Sequence, residues 1–203
     1  MCLGLSQLDL ALTAGFPQAY PTTDVDDLLD GPVGAAVRMM LDHHEPFPLV
    51  VMTRLYDLVA LNDAAERLFA AVGIDRDESN LVRLFSAAVR ALVCNWEETA
   101  GTILRRLQRE ALHRPNDEEL ADLVAGLLVS DGVPEDWRQP CLAAADEPVV
   151  PIELRTPAGQ RLSFMTTVTI FSAPQNLTLD ELQIESWFPL DDTTEAACRA
   201  LAG

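Results

Sequence analysis

Lysine is absent from this chain: all 14 of its basic side chains are arginines, against 32 Asp and Glu, for a net charge of −18. A surface so acidic repels a nucleic-acid backbone unless a separate basic face exists. The densest basic group is Arg105-Arg106 with Arg109, which is too little for such a face. Direct nucleic-acid binding by this chain alone is therefore not expected. Metal-ligand spacing is lacking too. Cys2, Cys94, Cys141 and Cys198 form no CxxC pair, and His43, His44 and His113 are not spaced to join them. The four cysteines read as reduced thiols of a cytoplasmic protein that holds no metal and no cofactor.

Other absences narrow the function further. No apolar run reaches the ~18 residues of a membrane span. The N-terminus has no basic n-region and carries acids early, so neither a membrane partner nor secretion is expected. Catalytic signatures are missing: there is no GxSxG, HExxH, P-loop or GxGxxG. His43-His44 precedes Glu45-Pro46 in what reads as a connector. Asp117-Glu118-Glu119 suits a helix start, where the dipole favours negative charge. The chain is not read as an enzyme.

What is present is ample apolar material. With 203 residues, 49% of them hydrophobic and 23% charged, the chain fits one large domain, or a smaller one with a helical extension. A chain of this length buries roughly 70% of the surface its unfolded form exposes. The pattern divides at residue 45. Residues 1–15 read as an amphipathic helix, 16–33 as a proline-containing acidic connector, and Val33 to His44 as a helix with Val37, Met40 and Leu41 on one face. Residues 46–203 form the second unit.

That unit opens on the most telling stretch, Pro48 to Phe69. Two short apolar strands flank a polar turn, then Asn62 caps an amphipathic helix that ends at Gly73. After a charged loop at 75–78 the period is helical for some sixty residues. Ser79 or Asn80 caps Leu81 to Phe85, and Asn95 caps a long helix carrying Trp96, Ala100, Ile103, Leu104 and Leu107 at i, i+3, i+4 spacing. Asn116 and Glu119 suggest a capping box for the next helix. Pro134 opens a short one reaching about Ala145. After Pro148 the period becomes 2: Val149 to Arg155, a Pro157-Ala158-Gly159 turn, Gln160 to Ser172, then Leu179 to Phe188. Leu162, Phe164, Thr166, Val168 and Ile170 share one strand face. A C-terminal helix follows, capped by Thr193 or Thr194. The fold class is α+β, an antiparallel sheet covered by helices with an N-terminal helical extension.

Several of these segments, in this order, resemble the ligand-binding domain of MmyB-like transcription regulators. They are Ala14-Gly15-Phe16 with Tyr20-Pro21, then His44 to Pro48, then Tyr56 to Ala60 with Asn62 and Ala64-Ala65. Asn80 to Leu84, Asn95-Trp96-Glu97, and Glu181 to Asp191 with Thr194 complete the set. The resemblance implies a PAS-like fold and a pocket between sheet and helices for a small apolar or fatty-acid-like ligand. It implies an effector domain of a bacterial regulator, working as a homodimer or with a separate DNA-binding partner. Such proteins usually carry an XRE-type helix-turn-helix before this part, and the opening residues here resemble only the junction that follows it. Tyr56 stands where Trp is common, and Asn176 where Asp is expected.

The candidate ligand contacts are Arg83, Phe85, Trp96, Ile103, Leu107, Phe164, Thr166, Val168 and Ile170. Arg83 lies between apolar neighbours, suited either to a ligand carboxylate or to an ordinary surface or internal ion pair. Trp96 reads as a buried anchor of the long helix or as a ligand contact. The apolar strand positions serve equally as plain core, and the threonines are good strand formers. The alternative function is a protein-interaction or dimerisation module that uses the uncovered sheet face and takes no small molecule.

Overall fold

The computed structural model describes residues 31–74, 86–138, 151–170 and 182–203. The expected helix at 1–15, most of the connector, the loop at 75–78, the short helix with Arg83 and Phe85, and Asn176 lie outside them. Helix α1 (Pro32–His44) starts with Pro at its first turn, where the missing N–H costs nothing. Strands β1 (Leu49–Thr53) and β2 (Leu58–Leu61) form a hairpin, followed by α2 (Asp63–Val72). Next come α3 (Ala87–Leu92), α4 (Trp96–His113), α5 (Glu118–Leu128) and a 3-10 turn at Glu135–Arg138. Strands β3 (Pro151–Arg155), β4 (Arg161–Ile170) and β5 (Leu182–Pro189) and helix α6 (Asp192–Ala202) complete the chain. The sheet is antiparallel throughout, in the order β2-β1-β5-β4-β3. The arrangement is α+β and PAS-like, as expected, with a helix preceding the sheet.

The sheet carries apolar side chains on both faces. On one side Val37 of α1 packs with Leu49, Val51, Leu182 and Ile184, and Met40 and Leu41 join at the margin. On the other, Phe164, Leu162, Leu154 and Trp187 meet Leu68 of α2, Leu104 and Leu107 of α4, Leu120 and Leu127 of α5, and Cys198 of α6. The period-3.6 spacing of α4 and the period-2 spacing of β4 thus converge on one core.

The helix ends show where local reading works. Asn62 caps α2 as expected, and its side chain does more. Oδ1 accepts from Ala65 N–H at 3.0 Å and from Leu49 N–H at 2.9 Å, while Nδ2 donates to the Phe47 carbonyl at 2.8 Å. Gly73, at φ +80°, ends that helix in the left-handed conformation glycine takes without cost. Two other caps need correction, and a third residue, Asn95, stands at its expected N-cap position without the cap bond. The Asn95 side chain makes no cap bond; it donates to the Pro151 carbonyl at 2.6 Å and accepts from Glu153 N–H at 3.0 Å, tying the start of α4 to β3. Asp117, not Asn116, caps α5 through Leu120 N–H at 3.1 Å, because its carboxylate sits one residue nearer the first turn. Asp191, not Thr193 or Thr194, caps α6 through Thr194 N–H at 2.7 Å. The Thr194 hydroxyl is engaged elsewhere, accepting from Ser163 N–H at 2.9 Å. The segment after Pro134 makes a 3-10 turn over the described residues.

Candidate functional site

Strand β5 occupies the middle of the sheet, so its side chains are buried on both faces. Leu182 and Ile184 point toward α1. Alternation then turns Gln183, Glu185 and Trp187 to the other side, where Trp187 joins the larger core. Two polar residues thus stand in the floor of a sheet otherwise lined with aliphatic and aromatic groups. The register places Gln183 between Met52 and Ile170, Glu185 between Val50 and Val168, and Trp187 beside Thr166. Val50 and Met52 are buried, yet neither apolar cluster among the described residues includes them. Val168 and Ile170, on the same face, stay 37% and 49% exposed.

Glu185 is the chemical centre of this patch. Desolvation raises its carboxyl above the ordinary range, against the opposing pull of the Thr166 hydroxyl, the Trp187 indole and the Arg106 guanidinium. The Trp187 Nε1–H is turned toward that carboxyl without a hydrogen bond of normal geometry. Gln183 is only 4% exposed, and its Oε1 has no hydrogen-bond partner among the described residues. A buried acceptor left open in this way costs stability unless something donates to it.

Tyr56 closes the patch from the β1–β2 turn. Tyr56 N–H donates to the Thr53 carbonyl at 2.9 Å and Thr53 N–H to the Asp57 carbonyl at 2.8 Å, a tight turn with Tyr56 at φ +65°. That left-handed conformation is unfavourable for a residue with a Cβ and clusters at functional positions. Burial pushes the Tyr56 phenol up to about 12, with Arg106 lowering it and Glu185 and Glu110 raising it. Arg106 and Glu110 are one turn apart on α4, so the helix presents a cation and an acid to the same ring. Both Tyr56 and Glu185 keep some accessible surface despite this desolvation.

The expected contacts divide. Thr166, Val168 and Ile170 lie on this patch, as their shared strand face requires. Phe164 and Leu107 are fully buried in the larger core, and Ile103 packs on it. Trp96 is 4% exposed, stacked on Trp137 with centroids 5.6 Å apart and covered by the Arg90 guanidinium at 4.1 Å. These four are core positions first. Arg83 and Phe85 lie outside the described residues. Tyr56, Glu185, Gln183, Trp187 and Arg106 were not among the expected contacts. For Gln183, Glu185 and Trp187 the signal was present in Gln183-Ile184-Glu185-Ser186-Trp187, where polar residues recur at period 2 inside a buried strand, whereas Tyr56 and Arg106 carried none.

The Cys198 thiol is buried and pushed up to about 11, so it is not a thiolate nucleophile near neutral pH. Among the described residues no group of three His, Cys, Asp or Glu side chains is placed to hold a metal ion. No described helix is long and apolar enough to cross a membrane. No curated protein matches the chain. Residues 33–201 match the family model for the MmyB-like transcription regulator ligand binding domain, a regulatory and not a catalytic domain. By that match over most of its length, the chain belongs to the MmyB-like transcription regulator ligand-binding domain family.

Proposed function

We propose that this domain is the cytoplasmic sensor of a bacterial transcription regulator. It holds a small apolar or fatty-acid-like molecule between the sheet and its helices. The observation that carries the reading is the β4–β5 face: accessible Val168 and Ile170 beside the desolvated Glu185 and the open Gln183 acceptor. An aliphatic wall with a few buried polar groups is the usual composition of a small-molecule site. Occupancy changes the packing of the β1–β2 turn and α4, where Arg106 acts electrostatically on Tyr56. The change is read by an attached or separate DNA-binding unit, through a population shift between two packings. Arg83, Phe85 and Trp96 remain proposed contacts of the ligand's body.

Native mass spectrometry of the purified protein, with solvent extraction of whatever it carries, tests this. A co-purifying or added apolar molecule that raises Tm supports it. A chain that neither carries nor takes up any such molecule sinks it.

A second reading has its own observation. Phe188 and Leu190 are 36% and 52% exposed at the end of β5, and Met39 of α1 is 61% exposed. These residues suit a homodimer or partner interface, and light scattering after size exclusion distinguishes a dimer that buries them from a monomer.

A further inference from the structure

The polar groups of the β4–β5 face restrict what the head of a ligand can be. Gln183 and Glu185 are one pleat apart on the same strand face, each with an aliphatic neighbour on β4, Ile170 and Val168. The Gln183 Oε1 is a buried acceptor to which no group among the described residues donates. Glu185 is itself an acid in a desolvated position. Arg106 acts on both Glu185 and Tyr56, and Glu185 and Glu110 both act on the same Tyr56 ring. Thr166 and Trp187 add only neutral donors beside Glu185.

A carboxylate brought here leaves the Gln183 acceptor unsatisfied and adds a second acid beside the desolvated Glu185. Two carboxyl groups at close range in a desolvated site do not both ionise without a large cost. A hydroxyl or a primary amide avoids both costs, since each donates to Gln183 Oε1 and neither brings a charge.

We propose that the patch of Gln183, Glu185, Val168 and Ile170 binds an apolar molecule whose head is an uncharged hydrogen-bond donor, a hydroxyl or a primary amide, in preference to a carboxylate. This rests on the ligand-sensing reading above and sharpens it. Of the apolar and fatty-acid-like candidates, it selects the neutral alcohol or amide over the ionised acid.

The test is displacement of Nile red from the full chain at pH 8 by octan-1-ol, octanamide and octanoate, which share a chain length and differ in the head. Octanamide and octanol are expected to displace the dye at about tenfold lower concentration than octanoate, the worth of one hydrogen bond. Gln183→Leu is expected to weaken octanamide about tenfold while leaving octanoate unchanged. Glu185→Gln, which keeps the shape and removes the acid, is expected to bring octanoate closer to octanamide. Melting curves establish that each variant is folded, and the wild-type ranking alone decides the matter if one is not. Octanoate binding as well as or better than octanamide overturns the proposal and leaves ligand sensing intact. So does an unchanged octanamide affinity in folded Gln183→Leu. If neither the dye nor any of the three compounds binds, both this proposal and the sensor reading fall.

Discussion

Arg54, at the tip of the β1–β2 turn, holds Asp117 at the start of α5, with Nη1 2.6 Å from Oδ2. Both side chains are largely buried, at 12% and 14% exposed. Asp117 caps α5 at the same time, so one carboxylate satisfies a helix start and joins it to the hairpin. Glu119 is a more distant, exposed partner of the same guanidinium at 3.7 Å. Breaking a buried pair leaves the remaining charge uncompensated. Arg54→Met is therefore expected to lower stability by about 3 kcal/mol in urea unfolding. Asp117→Asn keeps a capping oxygen and loses only the charge. It should cost less than Asp117→Ala, and equal losses for the two would count against the dual role.

Asn62 predicts a second loss. Its side chain serves two backbone donors, on β1 and α2, and one acceptor before β1. Alanine leaves these groups buried and unpaired, so Asn62→Ala is expected to cost about 2–3 kcal/mol, more than an ordinary exposed cap. Asn62→Asp retains the acceptances and loses the donation to the Phe47 carbonyl, and should fall between. Equilibrium unfolding of the three proteins ranks them.

Glu185 sets a pH dependence. Its folded-state pKa is raised, with burial the first cause. The native chain thus binds a proton that the unfolded chain releases above the ordinary glutamate value, about 4.3. Its effect on stability is therefore neutral below that value and becomes a penalty as pH rises through the folded pKa. Glu185→Gln removes the titration. The variant is expected to melt above the wild type at pH 8, with the difference closing toward pH 4. A difference that is constant across this range would show that Glu185 does not titrate with folding.

Gly101 predicts a steric effect. A Cβ built there lies 3.0 Å from the Trp137 ring, on the face of α4 against which the 3-10 turn packs. Gln108 holds that turn by donating to the Trp137 carbonyl at 2.8 Å. Gly101→Val overfills this contact and adds a β-branched side chain to a helix, so a loss of about 2 kcal/mol is expected. The Trp96–Trp137 stack should open with it, and a change in tryptophan fluorescence in the folded state would report this. Gly101→Ala gains helix propensity and meets the ring with only one carbon, so its loss should be much smaller.

Much of the architecture was legible in the residues because it follows from local periodicity. The alternation in β4 assigned every second residue from Leu162 to Ile170 to one face, and the 3.6 spacing of Trp96 to Leu107 assigned the buried stripe of α4. Asn62 and Gly73 marked both ends of α2 by conformational preference alone. The failures are equally physical. Asn95 has the right side chain for a cap, but β3 offered it stronger partners in Pro151 and Glu153. At α6 the carboxylate of Asp191 won the cap over the hydroxyl of Thr194, which found Ser163 across the chain. At α5, Asp117 displaced Asn116 for the same reason of position and charge.

The pattern of strands and helices, the acidic surface and the absence of catalytic motifs are properties of the sequence itself, because each depends on composition or on neighbours a few residues away. Which polar groups would meet was decided only by tertiary structure. Tyr56, Arg106 and Glu185 are far apart in the chain and come together because β1 pairs with β5 and α4 covers the same face. Desolvation, which gives that cluster its chemistry, depends on everything packed around it, and no spacing of residues along the chain encodes it.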